Sequence, residues 1–276
     1  MQQISLGFKE ESMLNKILGF IKSYWKTLLF FAIVGLVGGF FVGLYLLNSY
    51  PPEIKQQLID EAEAAGLGGF PIDMLLAVLT AVQSLGYGFV LGGLGIWLAK
   101  KIGLWTGEYS LSKTPLIIAA IVAILGGILF IVPDILVFGN YSQAIKDSYA
   151  VKPTLAYILA TVTYGAVIEE VMLRLFMLSL IAFLLNKLFN KNSDKPTTAI
   201  LIASNILAAL LFAVGHLPTT FLLLGNTPTL IIRCLLLNGA FGLAFGYLYR
   251  KYGLRYAMLA HGGVHIVSKL IWVLFL

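Results

Sequence analysis

Charge is scarce in this chain, and that scarcity excludes most of what a protein of 276 residues could be. Only 12% of the residues are Asp, Glu, Lys or Arg, while 59% are hydrophobic and the mean hydropathy is +0.91. Soluble domains carry about 25% charged residues, so a soluble enzyme with a large core does not fit, and no polar connection is long enough for a separate soluble domain. Cysteine is nearly absent: Cys234 stands alone inside an apolar run, which excludes a disulfide framework. Aspartate is missing from the middle of every apolar run. Asp60, Asp73, Asp134, Asp147 and Asp194 are expected in loops or at span ends, which argues against an aspartyl dyad. There is no Gly-x-Ser-x-Gly nucleophile motif, phosphate-binding loop or dinucleotide fingerprint. The net charge of +6 lies in short clusters between apolar runs, a pattern that marks membrane topology and not nucleic-acid binding.

What remains is a polytopic membrane protein of the all-α class. A run of about 20 apolar residues crosses the hydrocarbon core as a helix. The runs predict spans over about 28–47, 74–99, 115–138, 153–185, 197–216, 229–249 and 255–276. That makes seven spans, or eight if the fourth run divides. Before them, Met13, Leu14, Ile17, Leu18, Phe20 and Ile21 recur at helical spacing opposite Lys16 and Lys22, which predicts an amphipathic helix on the membrane surface. Residues 1–26 lack the small-residue cleavage site of a signal peptide. Three parts follow: the surface segment 1–26, accessory spans in 27–150, and a chemically active core in 151–276.

Lysine and arginine placement sets the orientation. Lys9, Lys16, Lys22 and Lys26 precede the first span, Lys100, Lys101 and Lys113 follow the second, Lys187, Lys191 and Lys195 follow the fourth, and Arg250, Lys251 and Arg255 precede the last. The alternate connections carry only Lys55, Lys146 and Lys152. This asymmetry places the N-terminus in the cytoplasm and favours seven crossings. Gly35, Gly39 and Gly43 recur every four residues on one face of the first span, a spacing that lets a second helix approach closely.

The fourth run contains Glu169, Glu170 and Arg174 and no other charge between Pro153 and Leu185. A charge at the centre of a spanning helix costs roughly 2.5–3.5 kcal/mol on insertion scales, so such residues usually have work to do. Glu170 and Arg174 are four apart and can pair. Glu169 is rotated about 100° from Glu170 and has Leu173 at its own fourth position, which leaves it as the free carboxylate. A purely structural salt network is the alternative. His216 closes the fifth run, where a histidine serves as a cap or as a catalyst. His261 and His265 sit four apart on one face of the last run, with Gly262 and Gly263 between them. That spacing also serves zinc, although His-Glu-x-x-His is absent. The chemistry on offer is a carboxylate and imidazoles acting on water.

In this order, Glu169-Glu170-x-x-x-Arg174, Phe212-x-x-x-His216 and His261-x-x-x-His265 resemble the motifs of the CAAX prenyl protease and bacteriocin-processing family, and among its branches the type II CAAX endopeptidases. The resemblance covers about residues 150–270. It implies an integral-membrane endopeptidase that removes residues from the C-terminal tail of a prenylated or otherwise hydrophobic protein within the lipid bilayer. It further implies that Glu169 is the general base, that His216 helps hold and activate the water, and that His261 and its companion stabilise the oxyanion. The companion is commonly asparagine in that branch, and here it is His265. A neutral imidazole still donates one hydrogen bond. The Glu/His/His/His set also keeps open a zinc-dependent version, although no cofactor is the first expectation. A proton-coupled carrier is the reading from another class.

Helix arithmetic leaves one tension. At about 1.5 Å per residue, His261 lies roughly 9 Å beyond Arg255, while His216 lies roughly 28 Å from Thr197. The two meet if spans four and five extend into the cytoplasm. A water-filled cavity open to that side, lined by Glu169, His216, His261 and His265, is then expected.

Overall fold

A computed structural model describes residues 7–107 and 110–276, with side chains from Met13 onward. Residues 1–6 of the expected surface segment, and the side chain of Lys9, lie outside the described residues. All regular structure among the described residues is helical. We number the helices α1 (Gly7–Ser49), α2 (Pro52–Ala64), α3 (Ile72–Lys101), α4 (Lys113–Leu136), α5 (Gln143–Ala150), α6 (155–189), α7 (Thr198–Gly215), α8 (Leu217–Leu223), α9 (Pro228–Tyr252) and α10 (Leu254–Phe275).

Six candidate membrane spans are long and apolar enough to cross a bilayer: Met13–Ser49, Ile72–Lys101, Lys113–Asn140, Thr198–Leu223, Pro228–Tyr252 and Leu254–Phe275. The charged run is the further rod α6, helical from residue 155 to residue 189 without the break that an eighth crossing would need. Pro51-Pro52 ends α1 and opens the acidic helix α2, which buries no residue. The N-terminal segment and the first span form one uninterrupted helix, so α1 carries both the exposed Met13, Leu14 and Ile17 and the spanning glycine face.

That glycine face is occupied. Cβ atoms at Gly35, Gly39 and Gly43 would run into Ser84, Thr80 and Ala77 of α3, and Thr80 donates its hydroxyl to the Gly39 carbonyl at 2.7 Å. One residue round from this face, Gly38 meets the backbone of Tyr164 in α6. Small residues thus dock α1 against both α3 and α6, because without Cβ atoms the backbones approach to contact distance.

The helix α6 runs through the centre of the core. Val171, Leu175 and Leu178 are buried among Leu28 and Phe31 of α1, Ile96 and Ala99 of α3, Phe245, Leu248 and Tyr249 of α9, and Tyr256, Ala257, Ala260 and Val264 of α10. Large apolar side chains such as Phe30, Val82, Leu125, Leu210 and Leu236 face outward. A soluble protein would not place them there, and a bilayer receives them without cost. Gly253, at φ 102°, makes the turn that sends the chain from α9 into α10. A residue with a side chain rarely adopts that backbone angle.

One buried charge pair was not anticipated from composition. Asp134, expected at a span end, lies in the last turn of α4 and is fully buried. Both of its oxygens accept from Arg233 of α9, and Oδ2 also accepts from the Tyr149 hydroxyl of α5 at 2.8 Å. The clasp ties three helices together at one end of the bundle. Removing one member leaves the other charge buried without compensation. Asp134→Ala should therefore lower stability by about 3–5 kcal/mol, whereas Asp134→Leu with Arg233→Met should recover most of the loss. Thermal unfolding of the detergent-solubilised variants measures both.

Candidate active site

Two consecutive stretches of α6, Thr161–Glu169 and Val171–Leu178, are wound as π-helix, with the wider i→i+5 turn. Such winding is rare and concentrates at functional sites. It frames the Glu169-Glu170 pair.

The two carboxylates part company at once. Glu170 is fully buried, with Oε1 lying 3.1 Å from Nη1 of Arg174 and 2.8 Å from Nδ1 of His261. One oxygen thus joins a residue of its own helix to one on α10. The Arg174 guanidinium is covered by the rings of Phe212, at 4.4 Å, and Phe245, at 5.5 Å. These faces supply cation–π attraction where few acceptors reach. Phe245 also stacks on the His261 ring, with centroids 4.5 Å apart and planes 19° apart. Glu169 is different. Its side chain keeps 21% of its surface accessible, and Oε2 stands 4.0 Å from Nε2 of His261.

His216 sits between α7 and α8, and its Nδ1 donates to the Phe212 carbonyl at 2.8 Å. A carbonyl only accepts, so Nδ1 carries the proton and Nε2 presents a lone pair. The Phe212 ring touches His216 at 4.6 Å and His261 at 6.1 Å between centroids, so a single side chain bridges them. His261 and His265 lie with ring centroids 5.0 Å apart. Both turn Nε2 toward Gly165 of α6. A Cβ built there would stand 3.4 Å from Nε2 of His265 and 3.9 Å from Nε2 of His261. The missing side chain leaves a space between two imidazole nitrogens, one helical turn before Glu169.

Glu169, His261 and His265 therefore face one region, and His216 joins it across Phe212. Glu169, His216 and His265 are half-buried and His261 is buried. Among the described residues, no three His, Cys, Asp or Glu side chains gather in an arrangement able to hold a metal ion.

Two features escape the sequence reading. Glu170 braces a histidine as well as an arginine, a contact across 91 residues of chain. Lys269, four residues beyond His265, is buried, and its Nζ lies 3.1 Å from Nδ1 of His265. The spacing of four was the available signal.

Residues 151–267 match the family model described as type II CAAX prenyl endopeptidase Rce1-like. The match covers 117 of the 276 residues, and over that stretch the chain is similar to this family. No curated protein and no solved structure matches the chain. The matched region holds the whole of α6 through α9 and most of α10, and with them every residue of the site just described except Lys269. It agrees with the resemblance drawn from the three motifs. Six helices among the described residues long and apolar enough to cross a bilayer mark an integral, multi-pass membrane protein, and its C-terminal part is similar to the CAAX prenyl endopeptidases.

The two glutamates should respond differently to removal. Glu170→Ala strands a buried Arg174 and should cost about 3–5 kcal/mol of stability. Glu169→Ala removes a partly exposed carboxylate and should cost less than about 1 kcal/mol. Unfolding midpoints of the two variants, side by side in the same detergent, measure the difference.

Proposed function

We propose that this protein is a glutamate-dependent intramembrane endopeptidase that cleaves near the C-terminus of prenylated, CAAX-type tails, with Glu169, His216, His261 and His265 as its catalytic residues. The observation that carries the reading is the convergence of two imidazole Nε2 atoms on the open side of Gly165, beside the half-buried Glu169 whose Oε2 stands 4.0 Å from Nε2 of His261, within the Rce1-like stretch.

In this scheme the scissile carbonyl occupies the space above Gly165. Glu169 takes a proton from water, with the Nε2 lone pair of His216 accepting a second hydrogen bond that orients it. The water oxygen bonds to the carbonyl carbon, and the carbonyl oxygen becomes an oxyanion. His265 and His261 donate to it through Nε2. For His261 that requires both ring nitrogens to be protonated, a form that Glu169 and Glu170, one on each side of the ring, can accommodate. The carbon–nitrogen bond then breaks, and Glu169 returns its proton to the leaving amine. Each oxyanion donor is worth about 3–4 kcal/mol in well-studied hydrolases.

The lipidated tail reaches the site from the bilayer, and the site faces the cytoplasm, as the lysine asymmetry implies. The Phe212, Phe245 and Phe241 rings make one side of the site apolar enough for the residues that precede the free carboxylate.

Purified protein should release the C-terminal tripeptide from a farnesylated C-a-a-X peptide, and Glu169→Ala should reduce kcat by at least about 10²-fold, with chelator making no difference. Chelator-sensitive cleavage would replace this mechanism with a metal-dependent one. Failure of the wild type to cleave would overturn the substrate assignment. Gly165→Ala offers a second check. Its methyl fits at ordinary contact distances, so the fold should be kept while kcat/KM falls by about tenfold or more through occupation of the carbonyl's place.

A further inference from the structure

The three histidines make three different contacts through Nδ1, and the one made by His265 is with a buried lysine. Lys269 lies one turn beyond His265 on α10 and is 4% exposed. Its Nζ is 3.1 Å from Nδ1 of His265, 4.4 Å from the ring centre of Tyr157 on α6, and 5.5 Å from that of Phe130 on α4. Phe130 also meets the His265 ring edge-on, at 5.9 Å. No carboxylate pairs with Lys269 among the described residues. Two aromatic faces and one imidazole nitrogen surround the amino group of Lys269, which carries hydrogens to donate.

From this geometry, and resting on the endopeptidase reading above, we propose that Lys269 is a positioning residue. It donates to Nδ1 of His265 and so confines the ring to the tautomer whose Nε2 carries a hydrogen toward Gly165. His265 is thereby a permanent donor at the place assigned to the oxyanion. The opposite tautomer would present a lone pair there and repel the developing charge. The consequence is directional: Glu170 and the Phe212 carbonyl hold the proton on Nδ1 of His261 and His216, while Lys269 holds it on Nε2 of His265. The ring is also fixed in orientation, wedged between Phe130 and the backbone of α6.

The test combines a spectroscopic arm with a kinetic cycle. In protein labelled with ¹⁵N-histidine, the His265 resonances are identified by their loss in H265Q. The wild type should show a protonated Nε2 and an unprotonated Nδ1, and K269M should show the two forms mixed. This arm needs no turnover, so it stands even if the peptide substrate is wrong. In the kinetic arm, K269M should lower kcat for the farnesylated peptide by about tenfold with KM within about twofold, and K269R should restore most of it. His265→Gln puts an amide, which always carries donor hydrogens, near the position of Nε2. In the H265Q background, K269M should therefore change kcat by less than about twofold. An unchanged His265 tautomer in K269M overturns the proposal. So does an equal loss of kcat in both backgrounds, which would mark Lys269 as structural. A wild type that does not turn over the peptide overturns the substrate assignment and leaves the tautomer result to decide the role of Lys269.

Discussion

The site depends on one carboxylate oxygen. Oε1 of Glu170 takes a guanidinium from its own helix and an imidazole from α10, 91 residues later in the chain. In a medium of low dielectric an isolated charge of either sign is expensive, and a pair is tolerated only when each member satisfies the other. Glu170 and Arg174 meet that condition within one helix, so α6 can enter the bilayer region already compensated. The same oxygen that meets Arg174 also holds His261. The pair is a brace first, and the geometry proposed for catalysis is built outward from it. Phe212 and Phe245 complete the brace by covering the guanidinium, and the same two rings set the positions of His216 and His261. Folding and function share these contacts, which is why a change at Glu170 acts on both.

Glycine does in the bundle what hydrophobic contact does in a soluble core. Lipid is as apolar as leucine, so helices gain little by hiding apolar side chains from it, and close backbone approach supplies the attraction instead. Gly35, Gly39 and Gly43 dock α1 on α3, Gly38 docks it on α6, and Gly242 and Gly246 receive Ala209 and Asn205 of α7 against α9. The absence of a side chain at Gly165 instead leaves room beside Nε2 of His265 and His261, the place proposed here for a substrate group. The π-wound turns around it widen α6 where Glu169 and Gly165 must share a face.

The parts of this fold that break the rules of a membrane helix were legible from sequence. Two glutamates and an arginine in an apolar run, and three histidines in or beside apolar runs, stand out because a bilayer rejects them. The spans themselves follow from length and apolarity, and their ends fall within a few residues of the helices observed except at the start of the first, where α1 begins at Gly7 and not near residue 28. Contacts between distant segments were not legible. Nothing in the order of residues says that Glu170 meets His261, or that Phe212 spans two histidines. The helix arithmetic that set His216 and His261 at different depths assumed that every run begins at the same plane. Asp134 stands at a span end, as its place in the sequence implies, but nothing in the sequence shows that it is buried against Arg233. Lys269 was passed over for a related reason. A lysine close to a helix end ordinarily stretches its head group to the interface, and only its spacing from His265 hints that it turns inward.

A single residue type can supply acceptor, ion and donor in one site because imidazole has two nitrogens and the protein decides which is protonated. At His216 the decision is made by a backbone carbonyl, at His261 by a carboxylate, and at His265 by an ammonium group. The first two partners can only accept through the atoms involved, and the third can only donate. Three partners of fixed polarity thus divide three chemically equivalent rings into different roles, without any difference in the rings themselves. The division also explains why the lysine is buried among aromatic faces and not paired with a carboxylate. A carboxylate beside Lys269 would compete with Nδ1 of His265 for its hydrogens, and would place a negative charge behind the ring that faces the oxyanion.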